Sequence, residues 1–418
     1  MNKVILDASV IGLSYYHETA RTGIFRVAEE LFKGLNDSSE IELSLGNVEH
    51  LPEMLKYLKK YYPETHINFV NKNIDKIGAK IENGIISIFP LKSMPQKAVR
   101  EIFVRTRGYV KPKFSLNPNI ISDYDIFHSP FLPLPNELSG LSKPKKVITI
   151  YDMIPILFPH YFGPWNKMMM EKIVASIDEN TFPICISEST KNDLCNVTGI
   201  DPTRVFVVPL AASKETFYQE HDRAKAERIL KKYKIPTDQK YFLSLSTLEP
   251  RKNIESTIRA FASMVQQEKI EDLNLVLVGT KGWDFDAIFK EIEVNPNIKN
   301  KIIITGYAAD EDLAALYSSA RGFVYPSHYE GFGLPPLEAM QCGIPVISSN
   351  NSSIPEVVGD AGILVDSNDV TSISISMLKI YQDDAFHKDL AEKALIQACK
   401  FSWEKFTNEH IQIYKQIS

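Results

Sequence analysis

The feature that most constrains the fold is a regular alternation of short apolar runs and amphipathic segments in the second half of the chain. The apolar runs predict β-strands at 241–245, 273–278, 302–305, 322–325 and 345–348. The segments between them have apolar residues at helical spacing and predict helices at 253–267, 284–292, 310–319 and 335–341. Strands and helices that alternate in this way form a doubly wound parallel sheet, which binds ligands at the carboxyl ends of its strands.

The first half shows the same alternation less clearly. A strand at 4–6 is followed by a predicted helix at 23–35, in which Val27, Leu31 and Leu35 share one face. Further strands are predicted at 126–127, 147–150, 184–186 and 205–208. Because 418 residues exceed what one hydrophobic core usually supports, we expect two α/β domains of Rossmann-like, doubly wound architecture.

Composition excludes several classes of protein. A net charge of −5, with 24% charged and 44% hydrophobic residues, is typical of a globular protein that does not bind nucleic acid. No apolar run approaches the roughly 20 residues that cross a bilayer, and the N-terminus lacks the apolar region of a signal peptide. The four cysteines have no paired C-x-x-C spacing, which favours buried thiols in a reducing compartment. We therefore expect a cytoplasmic protein.

The segment 92–113 is basic and amphipathic. Seven basic residues stand against the single acid Glu101, with apolar residues interleaved; they are Lys92, Lys97, Arg100, Arg105, Arg107, Lys111 and Lys113. Two interpretations stay open. The segment is either a solvated helix face packed on its domain, or a patch for peripheral contact with the inner face of an anionic membrane or with a pyrophosphate-lipid acceptor.

The strongest chemical signal lies at 330–338. Two carboxylates, Glu330 and Glu338, are separated by a glycine-rich turn and by two prolines that suit the first turn of a helix. The backbone N–H groups of Gly333 and Leu334 at this helix start would bind a phosphate. Glu330 can accept hydrogen bonds from sugar hydroxyls, and Glu338 from a ribose. The alternative is a solvated Glu330 and a Glu338 that only complements the helix dipole.

A second anion site is predicted after the strand 241–245. Arg251 and Lys252 follow this strand and precede a helix, where their charges would neutralise a diphosphate and the charge that develops on a leaving group. The alternative is an ordinary pair of surface cations. Because this pair supplies the positive charge, we predict neither a metal site nor a cofactor.

With these motifs in this order, the sequence resembles retaining glycosyltransferase family four, whose members share the GT-B fold of two Rossmann-like domains that face each other across a cleft. The resemblance covers most of 241–366 and rests on E-P-R-K-N at 249–253, L-V-G at 277–279, T-G-Y at 305–307, the segment 330–338 and S-I-P-E-V at 353–357. It implies three parts: an N-terminal acceptor domain at 1–211, a nucleotide-sugar donor domain at 212–398, and a helix at 399–418 that returns to the first domain.

The resemblance also implies roles for single residues. Arg251 and Lys252 would hold the donor diphosphate. Glu330 would bind the transferred sugar, and Glu338 the ribose. The remaining donor-binding residues implied in this half are Gly306, Tyr307, Gly331, Phe332, Gly333 and Leu334, with Gly306 and Tyr307 beside the base.

The N-terminal half matches the family less tightly. Gly23 resembles the glycine loop that faces the donor phosphate, although it could equally be only a helix cap. His128 resembles a histidine that contacts the donor sugar near the reacting carbon, with a purely structural role as the alternative. Tyr151 stands where relatives carry histidine, so a proton-transfer role there is in doubt. Tyr151, Asp152 and Arg26 are the candidates on the acceptor side.

The implied reaction moves a glycosyl group from a nucleoside diphosphate sugar to a glycan or lipid-linked glycan, with retention at the anomeric carbon by front-face attack. Similarity to bacterial mannosyltransferases favours O-antigen or capsule assembly, with GDP-mannose slightly ahead of UDP sugars as the donor. Two other functions stay open: a sugar-nucleotide epimerase, and a non-catalytic sugar-nucleotide-binding partner of another transferase.

Overall fold

The computed structural model describes residues 1–16, 23–91, 93–110, 114–280, 282 and 286–418, without the side chains of 107–110 and 286–287. Of the basic residues in the segment 92–113, Lys92, Lys111, Lys113 and the side chain of Arg107 lie outside this description. Within the described residues, the chain forms two parallel β-sheets, one from each half.

The first sheet is built from residues 2–207. Its strands are β1 (Asn2–Asp7), β2 (Ile41–Gly46), β3 (Asn68–Phe69), β4 (Ile126–Ser129), β5 (Lys145–Ile150), β6 (Thr181–Cys185) and β7 (Phe206–Val207). They lie in the order β3-β2-β1-β4-β5-β6-β7, and each pairing is parallel. The direction of winding reverses between β1 and β4, which makes this position a topological switch point.

The second sheet is built from residues 240–365. Its strands are β8 (Lys240–Leu245), β9 (Leu273–Val278), β10 (Ile302–Gly306), β11 (Gly322–Tyr325), β12 (Val346–Ser349) and β13 (Ile363–Val365). They lie in the order β10-β9-β8-β11-β12-β13, again with parallel pairing. The winding reverses between β8 and β11, so the second switch point lies between these two strands.

Helices connect the strands in both halves. Those of the first half are α1 (Ser9–Leu13), α2 (Gly23–Asp37), α3 (Leu51–Tyr61), α4 (Asn73–Ile86), α5 (Met94–Val110), α6 (Pro118–Ile121), α7 (Ile154–Leu157), α8 (Pro164–Ala175) and α9 (Glu188–Thr198). Those of the second half are α10 (Arg223–Lys232), α11 (Ile254–Glu268), α12 (Asp286–Glu293), α13 (Asp310–Ser318), α14 (Leu334–Gln341), α15 (Ile354–Val358), α16 (Val370–Gln382), α17 (Asp384–Ala398) and α18 (Trp403–Ile417).

Both sheets are buried on two faces, which explains the nearly continuous apolar strands of the sequence. In β1, Val4 packs in one apolar cluster while the next residue, Ile5, packs in another. In β8, Phe242 and Leu243 are separated in the same way. The cluster that contains Val4 also contains Leu243, so one continuous core joins the two halves.

The last helix, α18, packs on the first half of the chain although it follows the second sheet. Ser402 caps its start by accepting a hydrogen bond from the backbone N–H of Lys405 at 3.1 Å. A Cβ on Gly34 of α2 would lie 2.0 Å from the hydroxyl of Thr407, so only glycine allows this close approach of the two helices. Tyr414 reaches β4 from the opposite end of α18.

Candidate active site

A cleft of about 640 Å³ lies between the two halves. Its walls include residues of the first half, residues that follow β8, and the segment after β11. The predicted site residues that line it are Gly23, Arg26, Tyr151, Asp152, Arg251, Lys252, Glu330, Gly331, Phe332, Gly333, Leu334 and Glu338. The structure therefore brings both anion-binding motifs and all three acceptor-side candidates to one cleft.

The two motifs meet because their strands are neighbours at the second switch point. Arg251 and Lys252 follow β8, while Glu330 follows β11, and β8 pairs directly with β11. Parallel neighbours end at the same edge of a sheet, so residues that are far apart in sequence become adjacent there. This edge faces the cleft.

Glu330 is the centre of a buried charged cluster. Its Oε2 accepts a hydrogen bond from Nη1 of Arg251 at 2.8 Å, and its Oε1 accepts one from Nζ of Lys252 at 2.7 Å. The hydroxyls of Tyr325 and Ser327 also donate to Oε1, each at 2.7 Å. Arg251 forms a further ion pair with Glu249 at 2.9 Å. Each charge in the cluster thus has an opposite charge in contact.

The cluster keeps Glu330 ionised. Burial alone would raise the pKa of its carboxyl group, but the charges of Arg251 and Lys252 together with the hydrogen bonds lower it well below the usual range. Burial and the neighbouring Arg251 lower the pKa of Lys252, an effect that Glu330 opposes. The site therefore presents two cations and one carboxylate in fixed positions beside the cleft.

The glycine turn after Glu330 lets the two halves approach closely. A Cβ on Gly331 would lie 2.1 Å from the backbone oxygen of Tyr151, in the opposite wall of the cleft. Gly333 has φ of +129° directly before α14, a conformation that favours glycine. Leu334 then opens the helix, and because the next two residues are prolines, the N–H groups that can bind an anion there are those of Gly333 and Leu334.

Glu338 lies in the same helix and lines the cleft. Its side chain is nearly buried, and its Oε2 accepts a hydrogen bond from the hydroxyl of Tyr317 at 3.0 Å. Burial raises the pKa of Glu338 to about 7, although the positive charge of Arg26 opposes the shift. The carboxyl group of Glu338 therefore exchanges its proton near neutral pH, whereas that of Glu330 stays ionised.

Residues of α2 form the wall opposite Glu338. Gly23 begins this helix, and a Cβ there would be 3.8 Å from the side chain of Leu334, which is ordinary contact. Arg26 donates to Asp310 of α13 at 2.6 Å and so bridges the cleft. Both side chains of this ion pair are partly exposed, so its own contribution to stability is small.

The structure places His128, which was predicted to contact the donor sugar, outside the lining of the cleft. The residue lies within β4, is fully buried and does not line the cleft. Its Nδ1 is 2.5 Å from the hydroxyl of Tyr414, and its Nε2 is 2.8 Å from the hydroxyl of Thr149. Burial and the nearby His410 lower its pKa well below 6.5. With both ring nitrogens bonded inside the core, His128 joins α18 to the first sheet.

Gly306 and Tyr307 also lie apart from the cleft lining. Gly306 is the last residue of β10, the outermost strand on one side of the second sheet, and Tyr307, which follows it, is 70% exposed. The backbone oxygen of Gly306 accepts a hydrogen bond from the N–H of Gly279 at 2.9 Å. Both residues are at the carboxyl edge of the sheet, but the structure does not bring them into contact with the Glu330 cluster.

Tyr151 and Asp152 follow β5 in the wall that faces Gly331. Asp152 accepts a hydrogen bond from the backbone N–H of Ile154 at 3.0 Å, while burial raises its pKa. Burial likewise raises the pKa of Tyr151, whose hydroxyl is buried without a hydrogen-bond partner among the described residues. Burial therefore favours the neutral form of this hydroxyl.

Several contacts around the site were not predicted from the sequence. Tyr325 and Ser327 orient Glu330, and the hydroxyl of Ser246 lines the cleft without a hydrogen-bond partner in the described part of the chain. Ser187 donates to the backbone oxygen of Gly331 at 2.7 Å. Glu356 accepts hydrogen bonds from the backbone at the start of α9. The sequence predicts strand ends and a helix start at these positions, but it does not predict which distant residues these side chains contact.

Among the described residues, no group of three or more His, Cys, Asp or Glu side chains could hold a metal ion. All four cysteines are free thiols. Cys185 and Cys342 are buried as predicted, but Cys195 is half-buried and Cys399 is exposed, so the expectation of four buried thiols is wrong for these two.

Comparison with known proteins gives consistent results. The sequence profile of the glycosyl transferases group 1 matches residues 225–396. The chain is 33% identical over 399 residues to the O-antigen chain mannosyltransferase B of Escherichia coli, covering 95% of this chain and 96% of that protein. It is 35% identical over 277 residues to the serotype-specific mannosyltransferase WbdA of Escherichia coli, covering 65% of this chain and 34% of WbdA.

The structure resembles that of HepE from Anabaena, crystallised with UDP, over 100% of both chains, with a TM-score of 0.67 and 15% identity. This likeness confirms the predicted α/β fold of two Rossmann-like domains facing across a cleft, the GT-B fold. The comparisons favour neither an epimerase nor a non-catalytic binding partner. The nearly full-length match at 33% identity shows the family, and the chain therefore belongs to the glycosyl transferases group 1 and is a glycosyltransferase.

Proposed function

We propose that this glycosyltransferase moves a mannosyl group from GDP-mannose to a hydroxyl of a growing polysaccharide of the O-antigen or capsule type, with retention at the anomeric carbon. The observation that supports a nucleoside diphosphate sugar as the donor is the cluster of Arg251, Lys252 and Glu330 at the second switch point. The choice of mannose and of a glycan acceptor is supported by the name of the relative that matches 95% of the chain.

The cleft suggests a role for each charged group. Arg251 and Lys252 would bind the donor diphosphate, helped by the N–H groups at the start of α14. Glu330 would accept hydrogen bonds from the hydroxyls of the transferred sugar. Glu338 would accept two hydrogen bonds from the ribose, a task for its ionised form. Gly306 and Tyr307 remain candidates for the base, beyond the lining of the cleft.

The proposed reaction needs no covalent intermediate with the protein. The bond between the anomeric carbon and the diphosphate oxygen breaks, and the acceptor oxygen bonds to that carbon on the same face. The acceptor proton passes to the departing phosphate oxygen. Arg251 and Lys252 stabilise the negative charge that grows on the diphosphate, an effect that is strong because both are fixed in a buried site.

We also propose the division of labour among three segments. Residues 1–211 would bind the acceptor and 212–398 the donor, while 399–418 would brace the first domain. The last role is supported by the contacts of α18 with α2 and β4.

The donor assignment is tested by thermal denaturation of the purified protein with GDP-, UDP-, ADP- and dTDP-sugars. At 100 times its Kd, a donor stabilises the native state by about 2.7 kcal/mol. We expect GDP-mannose to raise the melting temperature of the wild type and of the exposed control Lys393→Ala, but not that of Arg251→Ala. A rise in melting temperature with UDP sugars alone would identify a UDP sugar as the donor instead. A folded protein whose melting temperature responds to none of these sugars would overturn the proposal.

We further propose that the first half contacts an anionic membrane at its inner face. None of the helices formed by the described residues combines the length and apolar character of a bilayer span. However, α4 carries four isoleucines on one exposed arc: Ile74, Ile77, Ile81 and Ile85. Exposed Ile88 and Leu91 follow this helix, and exposed Met94 begins α5. Exposed apolar residues in a contiguous stripe are typical of interaction surfaces.

The charges around this isoleucine stripe fit a membrane better than a second protein. On α4 the acids Asp75 and Glu82 are buried, while Lys76 is half-buried and Lys80 exposed. A helix with an apolar stripe flanked by lysines lies in the interface of anionic bilayers.

Vesicle flotation tests this surface. The pair Ile77→Ser and Ile81→Ser should reduce binding to phosphatidylglycerol-containing vesicles at least about tenfold, because each removes a side chain that gains about 1.5–3 kcal/mol when buried. The matched pair Ile375→Ser and Ile396→Ser, exposed in the other half, should bind like the wild type. Equal binding of both double variants, or no binding of the wild type, would refute the membrane contact.

A further inference from the structure

A second cavity, of about 190 Å³, lies in the first half beside the cleft. It is lined by α8, by the end of β5, by the segment that joins them, and by Ile24 of α2 and Phe131 after β4. Its walls are mainly apolar, and they include the aromatic and thioether groups of Phe131, Phe162, Trp165 and Met169. Such surfaces bind rings by contact with their apolar faces.

The cavity opens towards the proposed position of the transferred sugar. Tyr151 and Asp152 line both this cavity and the cleft. Phe162, in the wall of the cavity, has its ring centre 6.0 Å from the guanidinium carbon of Arg251. A group bound in the cavity would therefore lie next to the reacting end of the donor.

Two features of the cavity point to a ligand that has both polar edges and an apolar face. The hydroxyl of Tyr151 is buried and forms no hydrogen bond within the described residues, a state that costs about 1–3 kcal/mol if nothing satisfies it. Trp165, by contrast, is 58% exposed although it is a large aromatic side chain at the rim. A ligand that covers the indole and bonds to the hydroxyl would remove both costs.

We propose that this cavity is an acceptor subsite that holds one pyranose ring of the glycan. The C–H face of the ring would stack on Trp165, while its hydroxyls would bond to Tyr151 and to the carboxylate of Asp152. A polyprenyl chain fits less well, because it would leave the hydroxyl of Tyr151 unsatisfied. This inference rests on the proposed function, since it names the part of the acceptor that the enzyme recognises.

The test measures acceptor recognition separately from donor binding. We expect Trp165→Ala to raise the KM for a mannose-terminated oligosaccharide about tenfold or more, with kcat changed less than about threefold, because the lost contact is equal in the ground and transition states. Tyr151→Phe, which keeps the ring, should raise the same KM by a smaller factor. Met168→Ala, an exposed residue of α8 outside the cavity, is the matched control.

A direct binding measurement does not depend on turnover. Saturation-transfer NMR with methyl α-mannopyranoside should show contact of the sugar with the wild type and the Met168→Ala control, and a strongly reduced signal with Trp165→Ala. Unchanged KM in Trp165→Ala, or a response to farnesyl phosphate but not to the sugar, would overturn the subsite. If GDP-mannose is not the donor, the protein should fail to bind GDP-mannose while the NMR signal of methyl α-mannopyranoside persists.

Discussion

Glu330 keeps its negative charge in a buried position because Arg251 and Lys252 lie in contact with it. A donor diphosphate brings negative charge to the same two cations, so it must share them with Glu330. The carboxylate then serves two purposes in the proposed reaction: it holds the cations in place before the donor binds, and it is free to bond with sugar hydroxyls afterwards.

This double role predicts a separation between binding and transfer. Glu330→Gln keeps the size of the side chain but removes a charge that competes with the diphosphate. We expect GDP to bind this variant at least as tightly as the wild type, measured by calorimetry, while transfer falls about 100-fold or more. Arg251→Ala should weaken GDP binding itself. Loss of GDP binding in a folded Glu330→Gln protein would contradict these roles.

Glu338 predicts a pH dependence of donor affinity. Its pKa is raised to about 7 by burial, and the proposed ribose contact needs the ionised form. The Kd for GDP-mannose should therefore rise about tenfold as the pH falls from about 8 to about 6, as expected when one proton must leave before binding. GDP-mannose is the suitable ligand, because its diphosphate has no terminal phosphate to titrate. In Glu338→Gln this dependence should disappear.

The same shift affects the protein without donor. Because the folded state holds the proton of Glu338 more tightly than the unfolded state, the free energy of unfolding should fall as the pH rises from about 4.5 to about 7. The Glu338→Gln variant should lack this part of the decline. Identical pH profiles of denaturation for the two proteins would show that the carboxyl group is not buried as described.

Among the helices, α18 has a structural role that depends on one buried polar contact. The hydroxyl of Tyr414 lies 2.5 Å from His128, so this helix is attached to β4 at the centre of the first sheet. The position of Gly34 against Thr407 gives the same helix a close contact with α2. His128, which resembles a histidine that contacts the donor sugar in the family, thus helps to attach α18 to the first sheet.

Tyr414→Phe tests this account of His128. The variant leaves a buried ring nitrogen without its partner and should lower the free energy of unfolding by about 1–3 kcal/mol, measured with urea. The kcat per folded molecule should stay within about twofold of the wild type, since His128 is away from the cleft. Tyr381→Phe, at a surface hydrogen bond, should change stability by less than about 0.5 kcal/mol. An unchanged free energy of unfolding together with a large loss of kcat would indicate that His128 takes part in the reaction.

For the molecule as a whole, contacts across the cleft hold the two halves together. Glu356 of α15 accepts hydrogen bonds at 2.8 Å from the backbone N–H groups of Glu188 and Ser189 at the start of α9. Tyr329 donates to Asp193 of the same helix at 2.7 Å. A carboxylate at a helix start is favourable by charge as well as by hydrogen bonding.

Glu356→Gln should therefore loosen the closed arrangement. The side chain is exposed, so we expect a loss of about 1 kcal/mol, seen as a Kd for GDP-mannose that is about fivefold higher. Small-angle X-ray scattering should show a larger radius of gyration for the variant without donor. Glu392→Gln, an exposed residue of α17, is the control. A variant with unchanged affinity and unchanged radius would show that this contact does not control closure.

The second half was the easier part to predict. The strands predicted at 273–278 and 322–325 coincide with β9 and β11, and the others differ by a residue or so at their ends. All residues of β9 and β11 are buried, so their apolar runs are unbroken and their limits are plain in the sequence. The half-buried β13 was not predicted. The first half was predicted less completely, since β2 and β3 were missed. Polar residues interrupt the apolar run of β2, and β3 has only two residues.

By itself the sequence determined the two α/β units, the strand ends that carry Arg251 and Glu330, and the resemblance to a glycosyltransferase family. These depend on local periodicity and on short motifs, which are properties of neighbouring residues. Only the tertiary structure decided which groups meet. It put His128 in the core because α18 packs back on β4, and it joined Glu330 to Arg251 and Lys252 because β8 pairs with β11. Contacts between residues far apart in sequence depend on the order of strands in a sheet, and no local pattern contains that order.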